Sequence, residues 1–297
     1  MRLVSFNVNG IRAIQGKLRN GDRGATAETN CLEAILTELK PDFLCLQDIK
    51  TQNVEDCRLT GTVGSTYSVY ASCAIVKKGY SGVAIYAKEE PEWIEAGFDR
   101  YSEEVIGDYH GWDFHAEGRI IVAKVSRVCI VNVYTPNAQP DLVRIDERLQ
   151  WERVFRAYLH ELRRDLEVPL VVCGDLNCAA EKIDIHSPET NRESPGFSNQ
   201  ERGALHALLK DGWIDSFRYL HHFRVGYTYF SNIGKCRAKN KGWRIDYILH
   251  SNPSAIKAAD IHGEYHGSDH CPIRIDLEIR GMPTEPLYTL ESLGIKL

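Results

Sequence analysis

The chain of 297 residues is 43% hydrophobic and 26% charged, which is the composition of a globular protein with a substantial core. Its 36 basic and 41 acidic residues leave a net charge of −5, which argues against an indiscriminate polyanion binder without excluding local basic patches. No apolar run approaches the roughly 18 residues that a membrane span needs, so we expect no membrane partner. No secretory signal precedes the first apolar run, so we expect an intracellular protein, nuclear in a eukaryote and cytoplasmic in a prokaryote.

The nine cysteines are odd in number, scattered along the chain and without a C-x-x-C pair. This spacing predicts reduced thiols rather than a disulfide framework or a zinc site. Cys45, Cys129 and Cys173 lie within apolar runs, where cysteine behaves as a small buried hydrophobe. We therefore assign no cysteine a catalytic role.

No linker or composition break divides the chain, so we expect a single domain over residues 1–280, with a C-terminal tail of unknown role at 281–297. Short apolar runs, mostly rich in Val and Ile, predict strands. These runs are Leu3–Val8, Asp42–Leu46, Gly82–Tyr86, Ile120–Val125, Val128–Tyr134, Leu170–Cys173, Tyr227–Phe230, Arg244–Leu249 and Ile273–Leu277.

Helices are predicted at intervals between the strands. Residues 142–166 carry apolar side chains near the helical period, and Thr29–Leu39 predicts a further helix. Ser198 and Glu201 have the spacing of a capping box ahead of a third helix, which Gly212 is placed to end. Because strands outnumber helices, the pattern favours a layered α/β sandwich over a doubly wound parallel sheet.

Polar side chains follow several of these strands at the point where each strand ends. Asp175 comes after an apolar run and is followed by Asn177. Burial would raise the pKa of Asp175 and suit its carboxylate to accept a proton from water, although an aspartate in a turn also caps its own backbone. Asp246, within another strand, could hold His270 in one tautomer and stabilise its protonated form beside an anionic substrate.

Oxygen ligands for a metal recur at the same strand ends. Asn7, Asp48 and Asp269 offer hard oxygen atoms suited to Mg²⁺ or Mn²⁺. Together with the Asp-His pair and the candidate base, they predict metal-assisted hydrolysis of a phosphodiester. In that reaction Asn177 would position the phosphoryl group, and Tyr134 would stabilise or protonate the departing group.

A basic and aromatic segment precedes the strand of Asp246. Tyr227, Tyr229 and Phe230 lead into a stretch with five cations and one tryptophan, which suits a phosphate backbone and stacking surfaces. A solvated loop is the alternative interpretation of such a charge run. The residues of the stretch are Lys235, Arg237, Lys239, Lys241, Trp243 and Arg244.

Nine motifs in this chain closely resemble, in the same order, those of the exonuclease III family of apurinic/apyrimidinic (AP) endonucleases, within the endonuclease/exonuclease/phosphatase superfamily. The resemblance implies a four-layer αββα sandwich, dependence on Mg²⁺, and a monomer that incises duplex DNA 5′ to an abasic site. Members of the family often also remove 3′-blocking groups and degrade 3′ ends. The motifs are SFNVNGIRA at 5–13, CLQDIK at 45–50, GYSGVAIY at 79–86, EGRIIVA at 117–123, VYTPNA at 133–138, CGDLN at 173–177, GFSNQER at 196–202, GWRIDY at 242–247 and GSDHCPI at 267–273.

The resemblance also implies a role for each matching side chain. It makes Asp175 the base, Asn177 and Tyr134 stabilisers of the transition state, and Asp246 with His270 the pair that faces the phosphate. The same matching puts Asn7, Asp48 and Asp269 around the metal, together with Asp175 and Asn177. Tyr229, Trp243 and Ile245 would line the pocket of the flipped sugar, while Asn137 would contact DNA and Arg202 would contact DNA or the framework.

Two departures from the family pattern stand beside the metal ligands. The family normally has Glu where this chain has Asp48, and Asn9 replaces an acid found in some relatives. A carboxylate shorter by one methylene weakens the site, shifts it toward Mn²⁺, or is compensated by the backbone or a bridging water. The loops at 15–30 and 99–115 look longer than usual, and for His110, Trp112 and His115 we favour local packing over DNA contact.

Two other functions remain alternatives. A degenerate family member would bind abasic DNA with weak or no cleavage, and Asp48 motivates that hypothesis. A lipid or small-molecule phosphoesterase would use the same core, although the basic and aromatic segment favours a nucleic acid. The complete hydrolytic set of Asp175, Asn177, Asp246 and His270 argues against a pure binder.

Overall fold

The computed structural model describes residues 1–16, 30–59, 61–101, 115–125 and 127–279, and the strands of these residues form two six-stranded sheets. The strands are β1 (Arg2–Asn7), β2 (Phe43–Gln47), β3 (Ser68–Ser72), β4 (Val83–Ala87), β5 (Trp93–Ala96), β6 (Ile120–Val125), β7 (Val128–Tyr134), β8 (Leu170–Asp175), β9 (Ile214–Asp215), β10 (Asp246–His250), β11 (Ile256–Ile261) and β12 (Ile273–Leu277). The first sheet has the order β11-β12-β1-β2-β4-β3, and the second has the order β5-β6-β7-β8-β10-β9.

The helices begin where the sequence supplies N-terminal caps. Asn30 and Glu33 form a capping box at the start of the second helix, and Ser198 and Glu201 form the predicted box at the start of the fifth. The fifth helix ends just before Gly212, which has a φ of 91°. The described helices are α1 (Ile11–Gln15), α2 (Cys31–Glu38), α3 (Gly61–Gly64), α4 (Ile145–Asp165), α5 (Asn199–Lys210) and α6 (Ser216–Leu220).

The two sheets pack face to face, and helices cover their outer faces. Ile85 of the first sheet and Ile130 of the second belong to one buried cluster of aliphatic side chains. Trp151 of α4 packs in a second cluster on the outer face of the second sheet, and Ile35 of α2 packs in a third on the outer face of the first. The predicted αββα order is therefore confirmed.

Each sheet contains one parallel pair, β1 with β2 and β7 with β8. The strands β12 and β10 run antiparallel to β1 and β8, so they begin where β1 and β8 end. Asp175 pairs in register with Tyr134 of β7 and with Asp246 of β10. The ends of strands from both sheets therefore meet at a single rim.

Most predicted strands exist with shifts of one or two residues at their ends, and one does not. The strand predicted at Tyr227–Phe230 is wrong, because only Tyr229 pairs there, in isolated bridges to Trp243 and His270. Near the start of β10, two backbone N–H groups donate to the Thr228 hydroxyl and not to backbone carbonyls of a paired strand. The strands β3, β5, β9 and β11 were not predicted.

Two further expectations concern thiols and membranes. All nine cysteines are free. Within the part of the chain that is described, no helix has the length and apolar character needed to cross a bilayer.

Asn132 joins the two sheets through hydrogen bonds inside the core between them. Its fully buried Nδ2 donates to the carbonyl oxygens of Leu46 at 3.0 Å and Ala84 at 2.8 Å. Its Oδ1 accepts from Gln47 Nε2 at 2.7 Å, and the same Nε2 donates to Ser5 Oγ at 3.0 Å. These hydrogen bonds fix the position of the end of β2 relative to β7 in the facing sheet.

We expect the substitution Asn132→Leu to lower the free energy of unfolding by about 2–3 kcal/mol, because Gln47 would lose one of its acceptors and two buried carbonyl groups would lose the Asn132 donor. Urea unfolding followed by circular dichroism would measure the change. Asn232→Leu is the matched control, since Asn232 is exposed and its side chain makes no capping hydrogen bond. Equal unfolding midpoints for the two variants would contradict a role of Asn132 in the packing of the sheets.

Candidate active site

A cleft of about 530 Å³ opens at the rim where the strands of both sheets end. Its floor carries carboxylate and amide groups, and one wall is aromatic. Four predicted catalytic or metal-binding residues of the second sheet and its turns lie in or beside it, as do His270 and the three predicted metal ligands of the first sheet. The lining residues include Asn7, Asn9, Asp48, Tyr134, Asn137, Asp175, Asn177, Gly196, Tyr229, Trp243, Ile245, Asp269 and His270.

Asp175 lies at the end of β8 and is 1% exposed. Its Oδ1 accepts from the backbone N–H of Asn177 at 2.8 Å, and its Oδ2 accepts from Asn7 Nδ2 at 2.9 Å. Burial and the nearby charge of Asp246 raise the pKa of Asp175 to about 7. These two effects outweigh the charge of His270 and the hydrogen bonds, which lower that pKa. The carboxyl group is therefore poised to exchange a proton near neutral pH.

The turn after Asp175 holds Asn177 rigidly. Asn177 adopts a φ of 50°, its Nδ2 donates to Thr135 O at 2.8 Å, and its Oδ1 accepts from Asn137 Nδ2 at 3.1 Å. The backbone before the turn needs glycine, because a Cβ at Gly174 would lie 1.9 Å from Val133 O. Asn137 and Asn177 are thus in direct contact.

His270 and Asp246 form the predicted pair. His270 Nδ1 donates to Asp246 Oδ2 at 2.8 Å, while its Nε2 lies 3.9 Å from Asp175 Oδ2. Burial alone would lower the pKa of His270, but the charge and hydrogen bond of Asp246 outweigh it and raise that pKa to about 9. His270 is therefore a cation at neutral pH, and both of its ring nitrogens act as donors.

The first sheet contributes a linked set of polar groups. Lys50 Nζ lies 3.1 Å from Asp48 Oδ2 and also donates to Asn9 Oδ1. Asn9 Nδ2 donates in turn to Asp269 Oδ1 at 3.0 Å. Burial raises the pKa of Asp48 and outweighs the ion pair with Lys50, so this carboxylate would gain from a further cation.

The donor chemistry of the cleft fits a hard divalent cation. Carboxylate oxygens of Asp48, Asp175 and Asp269 line the same cavity as the amides of Asn7 and Asn177, and Mg²⁺ prefers such oxygen ligands.

Among the described residues, one group of His, Cys, Asp or Glu side chains is clustered closely enough to share a metal ion. It consists of Asp175, Asp246 and His270, whose ligand atoms lie within 4.8 Å of one another. His270 is protonated and paired with Asp246, so of these three residues Asp175 is the one suited to a cation.

Tyr134 closes the cleft beside the candidate base. The guanidinium of Arg119 lies 5.0 Å from its ring centroid, and Arg119 Nη1 donates to Tyr134 O at 3.0 Å. Burial and the charges of Asp48 and Asp175 raise the pKa of Tyr134 well above its usual value. Its hydroxyl is therefore protonated at neutral pH and available as a donor.

The aromatic wall brings together the three predicted pocket residues. Ile245 belongs to a small buried cluster on which Tyr229 and Trp243 pack, and Trp243 meets Phe197 edge to face with centroids 6.5 Å apart. Gly196 has a φ of 86°, and a Cβ there would lie 3.2 Å from the Trp243 ring. The shape of the wall therefore depends on the close approach of the Gly196 backbone to the indole ring of Trp243.

One predicted DNA contact is wrong. Arg244 is only 1% exposed, and its guanidinium bonds Asp184 at 2.8 Å and Asp215 at 2.6 Å. It alternates with Trp243 and Ile245 along the chain, so it points away from the cleft into the core. The run of cations in the sequence does not distinguish an arginine in a buried ion pair, such as Arg244, from an exposed arginine that contacts phosphate.

The other cations of the segment divide into two groups. Arg237 is half-buried and donates to His270 O at 2.6 Å and to Cys271 Sγ at 3.1 Å, so it holds the His270 backbone and its predicted phosphate contact is not supported. Lys235, Lys239 and Lys241 are exposed, and their DNA contacts stay predictions.

The remaining assignments concern framework residues and loops. Arg202 lies 4.7 Å from the Phe197 ring centroid and donates to Ala180 O, which makes it a framework contact. His115 pairs with Asp99 at 3.2 Å, in line with local packing. His110 and Trp112 lie outside the described residues, as do residues 17–29 and the tail at 281–297.

Sequence reasoning missed Arg148, which is 0% exposed in α4. Its Nη1 donates to Pro136 O at 2.6 Å and its Nη2 donates to Leu176 O at 2.7 Å, while Glu152 neutralises it. It therefore ties together the turns that carry Asn137 and Asn177. Its place on the apolar stripe of the helix, one turn before Trp151, was the signal that could have revealed it.

Comparison with known proteins agrees with this geometry. Residues 4–270 match the profile of the Endonuclease/Exonuclease/phosphatase family. This chain belongs to that family. An exodeoxyribonuclease of Bacillus subtilis (strain 168) is 37% identical over 283 residues, covering 94% of this chain and 100% of the relative. The DNA repair nuclease APEX1 of Danio rerio is 36% identical over 283 residues, covering 94% of this chain and 83% of the relative.

A solved structure supports the same assignment. The AP endonuclease from Archaeoglobus fulgidus superposes with a TM-score of 0.74 at 27% identity, covering 94% of this chain and 100% of that chain. The resemblance to the exonuclease III family of AP endonucleases is therefore confirmed, as is the sandwich fold.

We expect Arg244→Lys to lower the free energy of unfolding by roughly 3 kcal/mol, because a lysine cannot bridge both buried carboxylates. Lys241→Gln should leave stability unchanged, since Lys241 is exposed. Thermal unfolding would measure both. If Arg244→Lys kept wild-type stability and lost affinity for DNA, Arg244 would be a DNA contact after all.

The charged state of His270 predicts a pH dependence of stability in the metal-free protein. A pKa raised from 6.5 to about 9 in the folded state gives stability that is complete below pH 6.5 and lost as pH rises through 9. In EDTA we expect the wild type to lose on the order of 1–3 kcal/mol of unfolding free energy across that window. His270→Gln should lose less, and parallel curves for the two proteins would refute a buried imidazolium.

Proposed function

We propose that this protein is a DNA repair nuclease that hydrolyses the phosphodiester 5′ to an abasic site in duplex DNA, with 3′-phosphodiesterase and 3′-5′ exonuclease activity. The observation that carries the proposal is the convergence of Asp175, Asn177, Tyr134 and the Asp246–His270 pair on the floor of one cleft. Two relatives, the exodeoxyribonuclease of Bacillus subtilis and the DNA repair nuclease of Danio rerio, support the same class of reaction.

The roles follow from the protonation states. Asp175 accepts the proton of the attacking water as the new P–O bond forms, and its raised pKa suits that transfer. Doubly protonated His270, fixed by Asp246, donates from Nε2 toward a phosphate oxygen and offsets its charge. As the bond from phosphorus to the 3′ oxygen breaks, the Tyr134 hydroxyl donates to the departing oxygen.

Mg²⁺, with Mn²⁺ as an alternative, would supply positive charge that polarises the phosphoryl group when bound. Asp48, Asn7, Asp269, Asp175 and Asn177 are the residues that would hold it. The protein fixes these oxygens at the strand ends of both sheets, so that the cation would be held in one position relative to the substrate.

The aromatic wall supports a nucleic acid as the substrate. Tyr229, Trp243 and Ile245 form a flat apolar surface beside the catalytic floor, which suits a sugar that has lost its base. Lys235, Lys239 and Lys241 would contact phosphates beyond it.

We further propose that residues 1–280 act as a single catalytic domain in a monomer within the cell. Every side chain of the proposed mechanism comes from one chain, so a second copy adds nothing to the site.

We expect the wild type to incise a duplex bearing one abasic-site analogue in Mg²⁺ or Mn²⁺ but not in EDTA. Asp175→Asn should reduce incision about 10²- to 10⁴-fold, because the amide cannot accept the proton. Product length on a denaturing gel would place the cut. Asp165→Asn, at the exposed end of α4, is the matched control. Full activity of Asp175→Asn would refute the role of Asp175 as the base.

Asp48→Glu tests the departure from the family pattern. The longer carboxylate reaches one methylene further toward the cation, so we expect half-maximal incision at a Mg²⁺ concentration about tenfold lower. Titration of incision with each metal would measure the shift. If neither the wild type nor Asp48→Glu cleaves while both bind abasic duplex, the protein is a degenerate member that only binds.

A further inference from the structure

A small cavity lies beside Asp246, separate from the catalytic cleft. Asp246 lines this cavity and is not among the residues that line the cleft, whereas His270 lines the cleft. The cavity has a volume of about 10 Å³, which is close to the least space that holds one water molecule. The Asp246 carboxylate therefore stands between the catalytic histidine and a space the size of a single water molecule.

Elements of both sheets and the helix α6 enclose this cavity. The strand β10 lies beside the edge strand of the second sheet, and β11 is an edge strand of the first. Because α6 packs against both β10 and β11, it covers the gap between the sheets at this edge. Ile248 and Ile273, which belong to the cluster between the sheets, form part of the lining. An unpaired polar atom in such apolar surroundings is costly.

Asp246 has one carboxylate oxygen without a partner. Its Oδ2 accepts from His270 Nδ1 at 2.8 Å. Its Oδ1 is buried and makes no hydrogen bond within the described part of the chain, and the residue is only 3% exposed. Buried polar atoms of folded proteins are nearly always paired, and ordered water is the partner where no protein group is in reach. The free oxygen of Asp246 therefore needs a donor from the cavity.

Ser216 brings a second unpaired polar atom to the same cavity. It is 1% exposed, and its Oγ also lacks a partner among the residues that the structure describes. The hydroxyl does not cap α6, because Asp215 Oδ1 accepts from Arg218 N in that role. Ser216 and Asp246 both line the cavity, and one water molecule between them would satisfy the hydroxyl and the carboxylate oxygen together.

Thr228 offers the third partner. It is fully buried and lines the cavity. Its Oγ1 accepts from the backbone N–H groups of Ile245 and Asp246, each at 3.1 Å. Both of these bonds use the oxygen, so the hydroxyl proton remains to be donated. Three hydrogen bonds are the usual number for a buried water molecule.

We propose that this cavity binds a single ordered water molecule, through which Ser216 positions the Asp246–His270 pair. The water donates to Asp246 Oδ1, accepts from the Thr228 hydroxyl and shares a third hydrogen bond with Ser216 Oγ. With Oδ1 held, the carboxylate keeps its Oδ2 toward His270 Nδ1, and the imidazole keeps one orientation in the cleft. The effect of Ser216 on incision rests on the proposed function, whereas the water site does not.

A crystal structure of the wild-type protein, at a resolution that shows ordered water, tests the site directly. We expect one density peak within hydrogen-bond distance of Asp246 Oδ1, Ser216 Oγ and Thr228 Oγ1. A cavity without density would overturn the proposal, as would a water molecule that reaches only one of Asp246 and Ser216.

Ser216→Val and Ser216→Thr test the positioning role, because the two side chains have nearly the same shape and only Thr keeps a hydroxyl. We expect Ser216→Val to lower kcat for incision of abasic duplex about 10-fold and to leave KM within about twofold, since His270 acts on the transition state. Ser216→Thr should incise as the wild type does. Ser216→Ala, which removes only the hydroxyl, should lose as much kcat as Ser216→Val. Ser254→Val, at an exposed position beyond the far end of β10, is the matched control.

The outcomes separate this inference from the nuclease function. If the wild type incises and the Val, Thr and Ala variants share one kcat, Ser216 positions nothing and the proposal fails while the nuclease assignment stands. If Ser216→Val raises KM as much as it lowers kcat, the change is a general distortion of the cleft, which also contradicts the proposal. If the wild type incises no DNA, the proposed function fails, and the crystal structure alone decides the water site.

Discussion

The hydrogen bond from Asn7 to Asp175 joins the two sheets at the level of the catalytic floor. It forms because β1 and β8 end at the same height, and that height is set by the aliphatic packing between the sheets and by Asn132, which spans them. A slip of either strand by one residue would turn its terminal side chain to the opposite face. The arrangement of the site therefore depends on how the sheets pack.

Burial of several charges in one cleft then determines their chemistry. Removal from water favours the neutral form of Asp175 and raises its pKa to about 7. The carboxylates around His270 favour its charged form and raise its pKa to about 9. On the first sheet, Lys50 compensates the burial of Asp48 in part, and neutral Asn9 links Lys50 to Asp269. The cleft thus brings together a carboxyl group with a raised pKa, a protonated imidazole and several carboxylate and amide oxygens.

Buried arginines outside the cleft hold the turns that form it. Arg148 binds the carbonyl groups of Pro136 and Leu176 from below, and Arg244 binds Asp184 and Asp215 behind the aromatic wall. Such pairs add little net stability but leave an expensive unpaired charge when broken, so they fix one conformation of the turns. Precise positions for Asn137, Asn177 and Trp243 follow from them.

The amino-acid sequence by itself determined the class of the fold, the long helix α4, the capped helix α5 and the set of polar residues at strand ends, because hydrophobic period and local capping are properties of neighbouring residues. It could not determine that Arg244 points inward, that Arg148 supports two turns, or that Tyr229 makes only bridges. Those features depend on contacts between segments distant in the chain, and only the packing of the two sheets, which brings β4, β8 and β10 to one rim, decided them.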